Sequence, residues 1–197
     1  QRNVFQGLKI KGAGSSKTDR LPVTDDQLAT LLPAFASGPV PEALFVALAD
    51  TGARLAEIVG LEAQDLDLAK GCLNIRHNDV RRLKTKSSDR IIPLSKRALE
   101  LLRLNQDGLS NTAPIFSQYA RPRGSDAASA MLMKRFRTQV SDPKVTIHSL
   151  RHRMKDKLRN TGCPEDLSQA ILGHSSNTVA ANYGSGYALE VMREHMA

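Results

Sequence analysis

Reactive side chains are concentrated in the last third of this sequence, between residues 148 and 183. His148 and Arg151 are three residues apart, so on a helix they share one face and can point into one cleft. Arginine is always charged and presents a planar fork of donors, and histidine can donate or accept a proton. Three of the five histidines fall between residues 148 and 174, so this segment holds most of the histidines that could take part in one site.

Further candidate residues lie on both sides of this helix. His174 follows Arg151 by 23 residues, within Leu-Gly-His, and Tyr183 comes nine residues later. Far upstream, the motif Thr-Gly-x-Arg-x-x-Glu puts Arg54 and Glu57 one helical turn apart. The Thr-Gly pair ends an apolar helix and aims Arg54 inward, and we interpret Glu57 as the partner that orients it.

The elements that must position these residues are predicted to be mostly helical. Thr24 and Gln27 match a capping box at the start of the first helix. Pro41 suits the first turn of a second helix, Arg54 begins a third and Ser95 caps a fourth. The apolar spacing predicts four more helices, over residues 125–136, 149–160, 164–172 and 187–196.

A short region in the middle of the chain has the alternating pattern of β-strands. Strands are expected over residues 72–76, 80–83 and 90–94, with a polar turn between the last two. Lys84 and Lys86 both lie in that turn. The expected fold is therefore mainly α with a small three-stranded antiparallel β-sheet, an α+β domain.

The net charge of +8 is spread unevenly along the 197 residues. Residues 76–103 carry a net charge of +6 and residues 134–159 carry +7, whereas the rest of the chain carries −5. This distribution suits a polyanionic partner, but it also fits two solvated surfaces. The length allows one sizeable domain or at most two small ones.

Composition excludes several classes of protein. No run reaches the roughly 18 apolar residues that span a bilayer, and the first residues lack the apolar stretch of a signal peptide. Cys72 and Cys163 stand in different sequence surroundings, which argues against a disulfide scaffold or a cysteine-rich zinc site. We expect a cytoplasmic or nucleoid-associated protein.

Taken in order, the motifs resemble the catalytic domain of a tyrosine recombinase of the phage-integrase type. They are Thr-Gly-x-Arg-x-x-Glu, a lysine in a turn before Arg-x-x-Pro-Leu, His-x-x-Arg-His, Leu-Gly-His and a tyrosine nine residues later. The resemblance spans roughly residues 21–187. It implies a bacterial enzyme that cleaves and rejoins DNA strands without a metal ion or any other cofactor.

The resemblance implies six catalytic residues, which are Arg54, Lys84, His148, Arg151, His174 and Tyr183. The tyrosine would attack a phosphodiester, giving a 3′-phosphotyrosine link and a free 5′-hydroxyl. The two arginines and His174 would stabilise the charge that develops on the phosphate oxygens. His148 would accept the proton of the tyrosine, and the lysine would protonate the leaving oxygen.

The catalytic lysine has two candidates in the same turn. Lys84 lies nine residues before Pro93, one more than the family spacing, and Lys86 lies seven before it. We prefer Lys84 because Lys-Thr opens this turn in the family. Lys86 stays open as the alternative.

The nucleophile has three candidates, which are Tyr183, Tyr119 and Tyr187. The nine-residue interval from His174 favours Tyr183. The family often has Thr-His or Ser-His after this tyrosine, whereas this chain has Gly-Ser-Gly over residues 184–186. This departure concerns the backbone of the tyrosine segment rather than its chemistry.

Other basic residues are candidates for contacts with DNA phosphates. They are Arg81, Arg82, Lys86 and Arg90 on the sheet side, and Lys134, Arg135, Arg137, Lys155 and Lys157 on the helical side. The implied partners are double-stranded DNA attachment sites and other copies of the chain in a tetramer, although the isolated chain could be monomeric. No membrane is implied. The last helix could dock on a neighbouring copy or on its own domain.

The domain organisation is also an expectation from the resemblance. Residues 1–20 have a flexible, turn-prone composition and are expected to be a linker from a missing N-terminal core-binding domain. Residues 21–197 would then form the catalytic domain.

Two other functions stay open. A type IB topoisomerase or a telomere resolvase shares the same set of arginine, lysine, histidine and tyrosine residues. A DNA-binding module with a silent site belongs to a different class, and the presence of all six catalytic residues argues against it. Covalent attachment to nicked DNA would separate an enzyme from a binding module.

Overall fold

The structure, a computed structural model, describes residues 20–78, 81, 89–174 and 186–197. The helices in these ranges are α1 (Asp25–Phe35), α2 (Pro39–Thr51), α3 (Leu55–Val59), α4 (Lys96–Gln106), α5 (Gly124–Phe136), α6 (Ser149–Asn160), α7 (Glu165–Leu172) and α8 (Leu189–Met196). The strands are β1 (Leu66–Asp67), β2 (Cys72–Ile75) and β3 (Arg90–Pro93). None of the described helices combines the length and the hydrophobicity that crossing a membrane requires.

The three strands form one antiparallel sheet in the order β1-β2-β3. Leu73 of β2 pairs with Leu66 on one side and with Ile92 on the other, and all three side chains are buried. The expected fold class is confirmed. The strand expected over residues 80–83 lies outside the described residues apart from Arg81, and the third strand observed is β1. Two residues are too few to give an alternating pattern, so the sequence did not indicate β1.

Local sequence accounts for where several helices begin. α1 starts at the predicted capping box, in which Gln27 N donates to Thr24 Oγ1 and Thr24 N donates to Gln27 Oε1. Ser95 caps α4 by accepting a backbone N–H three residues further on. α2 begins earlier than expected, at Pro39 rather than Pro41. The first helical N–H has no partner within the helix, so a proline fits at that position.

Helix α2 is the centre of the main hydrophobic core. Residues 43–48 of this helix are all buried, and α2 packs against α1, α4 and α6. Phe45 stacks on Phe35 of α1 with the ring centroids 4.1 Å apart. Because α2 is held by several neighbours, its C-terminal end is a fixed point for the residues that follow, including Arg54.

A second, smaller hydrophobic cluster joins the last three helices. Met154 of α6 packs with Ile171 of α7 and Met192 of α8. Lys157 Nζ also donates to the carbonyl oxygen of Met196 at 2.9 Å, which fixes the end of α8. In this single chain the last helix packs on its own domain, and its docking on a neighbouring copy stays a prediction.

Two glycines allow helix ends to approach neighbouring elements closely. Gly52 follows α2 with φ 62°, and a Cβ there would lie 2.7 Å from the Cβ of Met154 on α6. Gly173 follows α7 with φ 64°, and a Cβ there would lie 2.5 Å from Nη1 of Arg90. Both positions need the left-handed backbone and the absent side chain of glycine. These two helix ends meet at the candidate site.

Candidate active site

Arg54 is the residue directly before α3. Its Nη1 donates to Glu57 Oε1 at 2.8 Å, and its backbone N–H donates to Glu57 Oε2 at 2.8 Å. The side chain of Arg54 is 34% exposed and that of Glu57 is 4% exposed. The carboxylate therefore holds the guanidinium from the inside of the protein and leaves part of it at the surface.

Glu57 is shared between two arginines. Arg90 Nη2 donates to Glu57 Oε2 at 2.9 Å, and Arg90 Nη1 donates to Oε1 at 3.2 Å. Burial disfavours the charged carboxylate, but the hydrogen bonds and charge of Arg90 and the hydrogen bonds of Arg54 outweigh it and lower the pKa of Glu57. Glu57 is therefore ionised at neutral pH.

Arg151 lies in the first turn of α6 and is 6% exposed. Its Nη1 donates to the carbonyl oxygen of Gly52 at 2.8 Å, and its Nη2 donates to that of Leu172. Burial, followed by the charge of Arg54, lowers the pKa of Arg151 to about 10, so it stays charged at neutral pH. Arg151 thus ties the end of α2 to the end of α7 and brings a second positive charge beside Arg54.

The C-terminal end of α7 connects three arginines. Residues 171–173 present consecutive carbonyl oxygens, which accept in turn from Arg90 Nε, from Arg151 and from Arg54. The C-terminal carbonyls of a helix carry partial negative charge and so favour cations. Among the described residues, Glu57 is the carboxylate in direct contact with these guanidinium groups, so positive charge predominates in this part of the cluster.

Two histidines lie at the edges of this cluster. His174 follows the end of α7, and its burial, together with the charges of Arg151 and Lys155, lowers its pKa to about 4. His148 precedes α6 and is in edge-on contact with His152, with ring centroids 5.1 Å apart. Partial burial, His152 and Arg151 lower the pKa of His148 as well. Each histidine is therefore neutral at pH 7 and can use one nitrogen as donor and the other as acceptor.

Four of the residues predicted from the sequence lie outside the described residues. They are Lys84 and Tyr183 of the catalytic set, and Arg82 and Lys86 of the DNA-binding set. Their roles remain predictions. The described part of the chain thus brings together Arg54, Arg151, His148 and His174 of the six expected catalytic residues.

Tyr187, an alternative nucleophile, is held by a carboxylate. Its hydroxyl donates to Asp166 Oδ2 at 2.5 Å. This hydrogen bond, and then burial, raises the pKa of Tyr187 to about 12. A nucleophilic tyrosine has to ionise as it attacks, so the raised pKa disfavours Tyr187 in that role.

Two arginines expected at a DNA-facing surface lie inside the protein. Arg81 is 2% exposed, and it donates to Asp65 Oδ2 at 3.2 Å and to the carbonyl oxygen of Glu57 at 3.1 Å. The side chain of Arg90 is 5% exposed and is paired with Glu57. Buried charges need partners, and these acidic partners lie 16 and 33 residues away in the sequence. The spacing of residues along the sequence therefore did not indicate that Arg81 pairs with Asp65 or that Arg90 pairs with Glu57.

The basic residues of the helical side lie nearer the surface. Lys134 is exposed, and Arg135 and Lys155 are partly exposed. Arg137 Nη1 donates to two backbone carbonyl oxygens in the loop after α5, and Lys157 holds the end of α8. Both therefore also stabilise the domain itself.

Comparison with known proteins identifies relatives along most of the chain. The model of the phage integrase family matches residues 22–188. A tyrosine recombinase XerC from Roseiflexus castenholzii is 26% identical over 199 residues, covering 92% of this chain and 61% of the relative. The transposase from transposon Tn916 of Enterococcus faecalis is 29% identical over 160 residues, covering 69% of this chain and 40% of the relative. The chain therefore spans only part of the length of these relatives.

Solved structures share the fold. XerA recombinase has a TM-score of 0.65 at 22% identity, covering 94% of this chain and 62% of that one. A Tn1549 transposon integrase in complex with transposon right-end DNA has a TM-score of 0.63 at 24% identity, covering 89% of this chain and 65% of that one. Because the family match covers most of the sequence, including all six expected catalytic positions, the chain belongs to the phage integrase family.

Proposed function

We propose that this chain breaks and rejoins DNA strands as a site-specific recombinase, through a 3′-phosphotyrosine intermediate. The observation that carries the proposal is the cluster of Arg54, Arg151 and His174 at the end of α7, in a member of the phage integrase family. Relatives named tyrosine recombinase and transposase support it, as does a structural neighbour solved with transposon DNA.

Arg54 and Arg151 would bind the non-bridging oxygens of the scissile phosphate. Backbone carbonyls already hold both guanidinium groups, and Glu57 holds Arg54 as well, so they are oriented before DNA arrives. Donors fixed in this way need no reorganisation during the reaction, and the loss of one typically lowers the rate about 10²–10³-fold. His174, neutral at pH 7, would add one further donor.

Two proton transfers would complete the cleavage step. Tyr183 would attack phosphorus and pass its proton to His148, whose lowered pKa keeps it neutral and able to accept. The bond from phosphorus to the 5′ oxygen would break, and Lys84 or Lys86 would protonate that oxygen. Attack by the 5′-hydroxyl of another strand would reverse these steps and rejoin the DNA.

The proposed partners are double-stranded DNA attachment sites and further copies of the chain. A tetramer would hold two duplexes, with the basic residues of the helical side near the phosphates. α8 packs on its own domain here, so its docking on a neighbour would require Met192 to leave its hydrophobic cluster. The proposed location is the bacterial cytoplasm, at the nucleoid. Residues 21–197 would be the catalytic domain, which the start of the family match at residue 22 supports.

A nicked suicide duplex that carries the attachment site tests this function. The short fragment next to the nick diffuses away after cleavage, so a covalent complex accumulates. We expect an adduct that resists denaturation in the unsubstituted protein and is lost in Tyr183→Phe. A protein that binds this duplex without forming the adduct would overturn the enzymatic proposal. Relaxation of any supercoiled plasmid would instead favour a topoisomerase.

A further inference from the structure

Three hydrogen bonds of Arg90 to described residues lead to the phosphate-binding arginines. Its fork donates to both oxygens of Glu57, at 2.9 and 3.2 Å, and Glu57 in turn holds Arg54. Its Nε donates to the carbonyl oxygen of Ile171 at 2.8 Å. The next two carbonyls along the chain hold Arg151 and Arg54. Arg90 is therefore linked to Arg54 through Glu57, and to Arg151 through consecutive carbonyl groups at the end of α7.

The contact with Glu57 limits how much of this carboxylate Arg54 can use. Arg90 engages both carboxylate oxygens, while the guanidinium of Arg54 engages only Oε1 through Nη1. Without Arg90, both oxygens of Glu57 could pair with the guanidinium of Arg54. Such a bidentate contact is the strongest geometry for an arginine–carboxylate ion pair. Such a pair would turn more of the Arg54 donors inward and neutralise its charge.

The contact with α7 fixes the backbone from which the site is built. Arg90 lies directly against Gly173, since a Cβ on that glycine would be 2.5 Å from Arg90 Nη1. The left-handed turn at Gly173 directs the carbonyls of residues 171–173 toward the three arginines. Loss of Arg90 would leave an open space beneath this turn and a buried carbonyl without its charged donor.

Arg90 differs from Arg54 in exposure and from both phosphate-binding arginines in how its donors are used. Its side chain is 5% exposed, against 34% for Arg54, and its donors point to Glu57 and Ile171. Arg151 is also buried, but its hydrogen bonds to Gly52 and Leu172 use Nη1 and Nη2, whereas those to Glu57 and Ile171 use all three guanidinium nitrogens of Arg90. The effect of Arg90 on a reaction at the surface must therefore pass through the groups that it holds.

We propose that Arg90 is a positioning residue, which keeps Arg54 and Arg151 available for the scissile phosphate by occupying Glu57 and fixing the end of α7. This assignment rests on the proposed strand-cleaving function. It replaces the direct DNA contact expected for Arg90 from the sequence.

The test compares Arg90→Met with Arg97→Met in the suicide-duplex assay. Arg97 on α4 forms an ion pair with Glu42 of α2 at 3.0 Å, and its side chain is 49% exposed, so it is the matched control. We expect Arg90→Met to lower the single-turnover rate at saturating DNA about 100-fold, as small displacements of catalytic groups do. DNA affinity should change less than about threefold, because no phosphate contact is lost.

A double-mutant cycle with Glu57→Gln tests whether Arg90 influences the cleavage rate through Glu57. If Arg90 acts through Glu57, Arg90→Met should cost much less in the Glu57→Gln background than in the unsubstituted protein. Arg90→Lys keeps the charge and the fold, but one ammonium cannot replace the fork and Nε together, so it should recover only part of the rate. If Arg90→Met does not fold, the cleavage rate of Arg90→Lys still tests the proposal.

Three outcomes would overturn the assignment. They are equal rates for Arg90→Met and Arg97→Met, a loss of DNA affinity as large as the loss of rate, and independent, additive costs in the double-mutant cycle. In each case an active unsubstituted protein leaves the proposed function standing. If the unsubstituted protein binds the duplex and forms no adduct, the proposed function fails, and the assignment of Arg90 fails with it.

Discussion

The two arginines proposed to bind phosphate differ in how deeply their side chains are buried. Arg151 is buried and bridges the carbonyls of Gly52 and Leu172, so it belongs to the packing of α2, α6 and α7 as well as to the site. Arg54 is partly exposed and is held mainly by Glu57. A substitution at Arg151 should therefore affect both folding and chemistry, whereas one at Arg54 should affect mainly chemistry.

We expect Arg151→Lys to lower the rate of adduct formation and the free energy of unfolding together. Lysine cannot reach both carbonyls, and a buried acceptor that loses its donor costs about 1–3 kcal/mol. The rate should fall about 10²–10³-fold. Urea unfolding and single-turnover cleavage measure the two effects. Arg54→Lys is the comparison. An equal loss in the free energy of unfolding in both variants would contradict the claim that Arg151 contributes more to the packing than Arg54 does.

His174 should make the folded protein less stable as the pH falls from neutral. The pKa of His174 is about 4 in the folded chain, against 6.5 for an ordinary histidine. As the pH falls, His174 of the unfolded chain therefore binds a proton before His174 of the folded chain does. Its contribution to the free energy of unfolding is therefore complete above pH 6.5 and is lost progressively between there and about pH 4. We expect a shallower decrease in His174→Gln, measured by urea unfolding across this range. A slope unchanged from that of the control His77→Gln, at an exposed position, would refute this prediction.

The helices and strands show which features a single sequence can reveal. The start of α1 and the cap of α4 were predictable because Thr24 and Ser95 act on backbone groups three residues away. The clustering of Arg54, Arg151 and His174 was indicated by motif spacing and by the family resemblance. The burial of Arg81 and Arg90 was not predictable, because their partners Asp65 and Glu57 are distant in sequence and meet them only through the tertiary fold.

The left-handed end of α2 offers a test at the scale of elements. We expect Gly52→Ala to destabilise the fold by more than Gly162→Ala, although both positions have positive φ. Alanine in this backbone region costs about 1–2 kcal/mol at either site. Only Gly52 adds a clash, with its Cβ 2.7 Å from the Cβ of Met154, while Gly162 has open space within 4 Å. Equal losses of stability in thermal or urea unfolding would show that α6 does not depend on this close approach.

The whole molecule combines a positive site with a mildly acidic remainder. The two basic stretches carry a net charge of +13 and the rest of the chain carries −5. The structure refines this contrast, because Arg81 and Arg90 from the first stretch are used internally. Of the five candidates on the helical side, Lys134 is the exposed one, and Arg135, Arg137, Lys155 and Lys157 are partly exposed.

Salt dependence should measure how many of these groups meet phosphates. We expect the logarithm of DNA affinity to fall linearly with the logarithm of salt concentration. Lys134→Gln should reduce the slope by about 1 if this exposed lysine contacts one phosphate. Lys70→Gln is the control, because Lys70 lies in the turn between β1 and β2, at the end of the sheet opposite to Arg90. If the salt-dependence slope of DNA affinity is unchanged in Lys134→Gln, or is reduced equally in Lys70→Gln, Lys134 does not contact a DNA phosphate.

Identification of the residue that becomes joined to DNA tests the central claim most directly. The covalent complex formed on the nicked duplex is digested with protease and nuclease, and the nucleotide-bearing peptide is sequenced by mass spectrometry. We predict a phosphate linkage on Tyr183, and an unchanged yield of the same peptide from Tyr187→Phe, because Asp166 holds Tyr187 in its un-ionised form. A linkage on Tyr187 or on any other residue, or intact DNA recovered from a protein that binds it, would contradict the account.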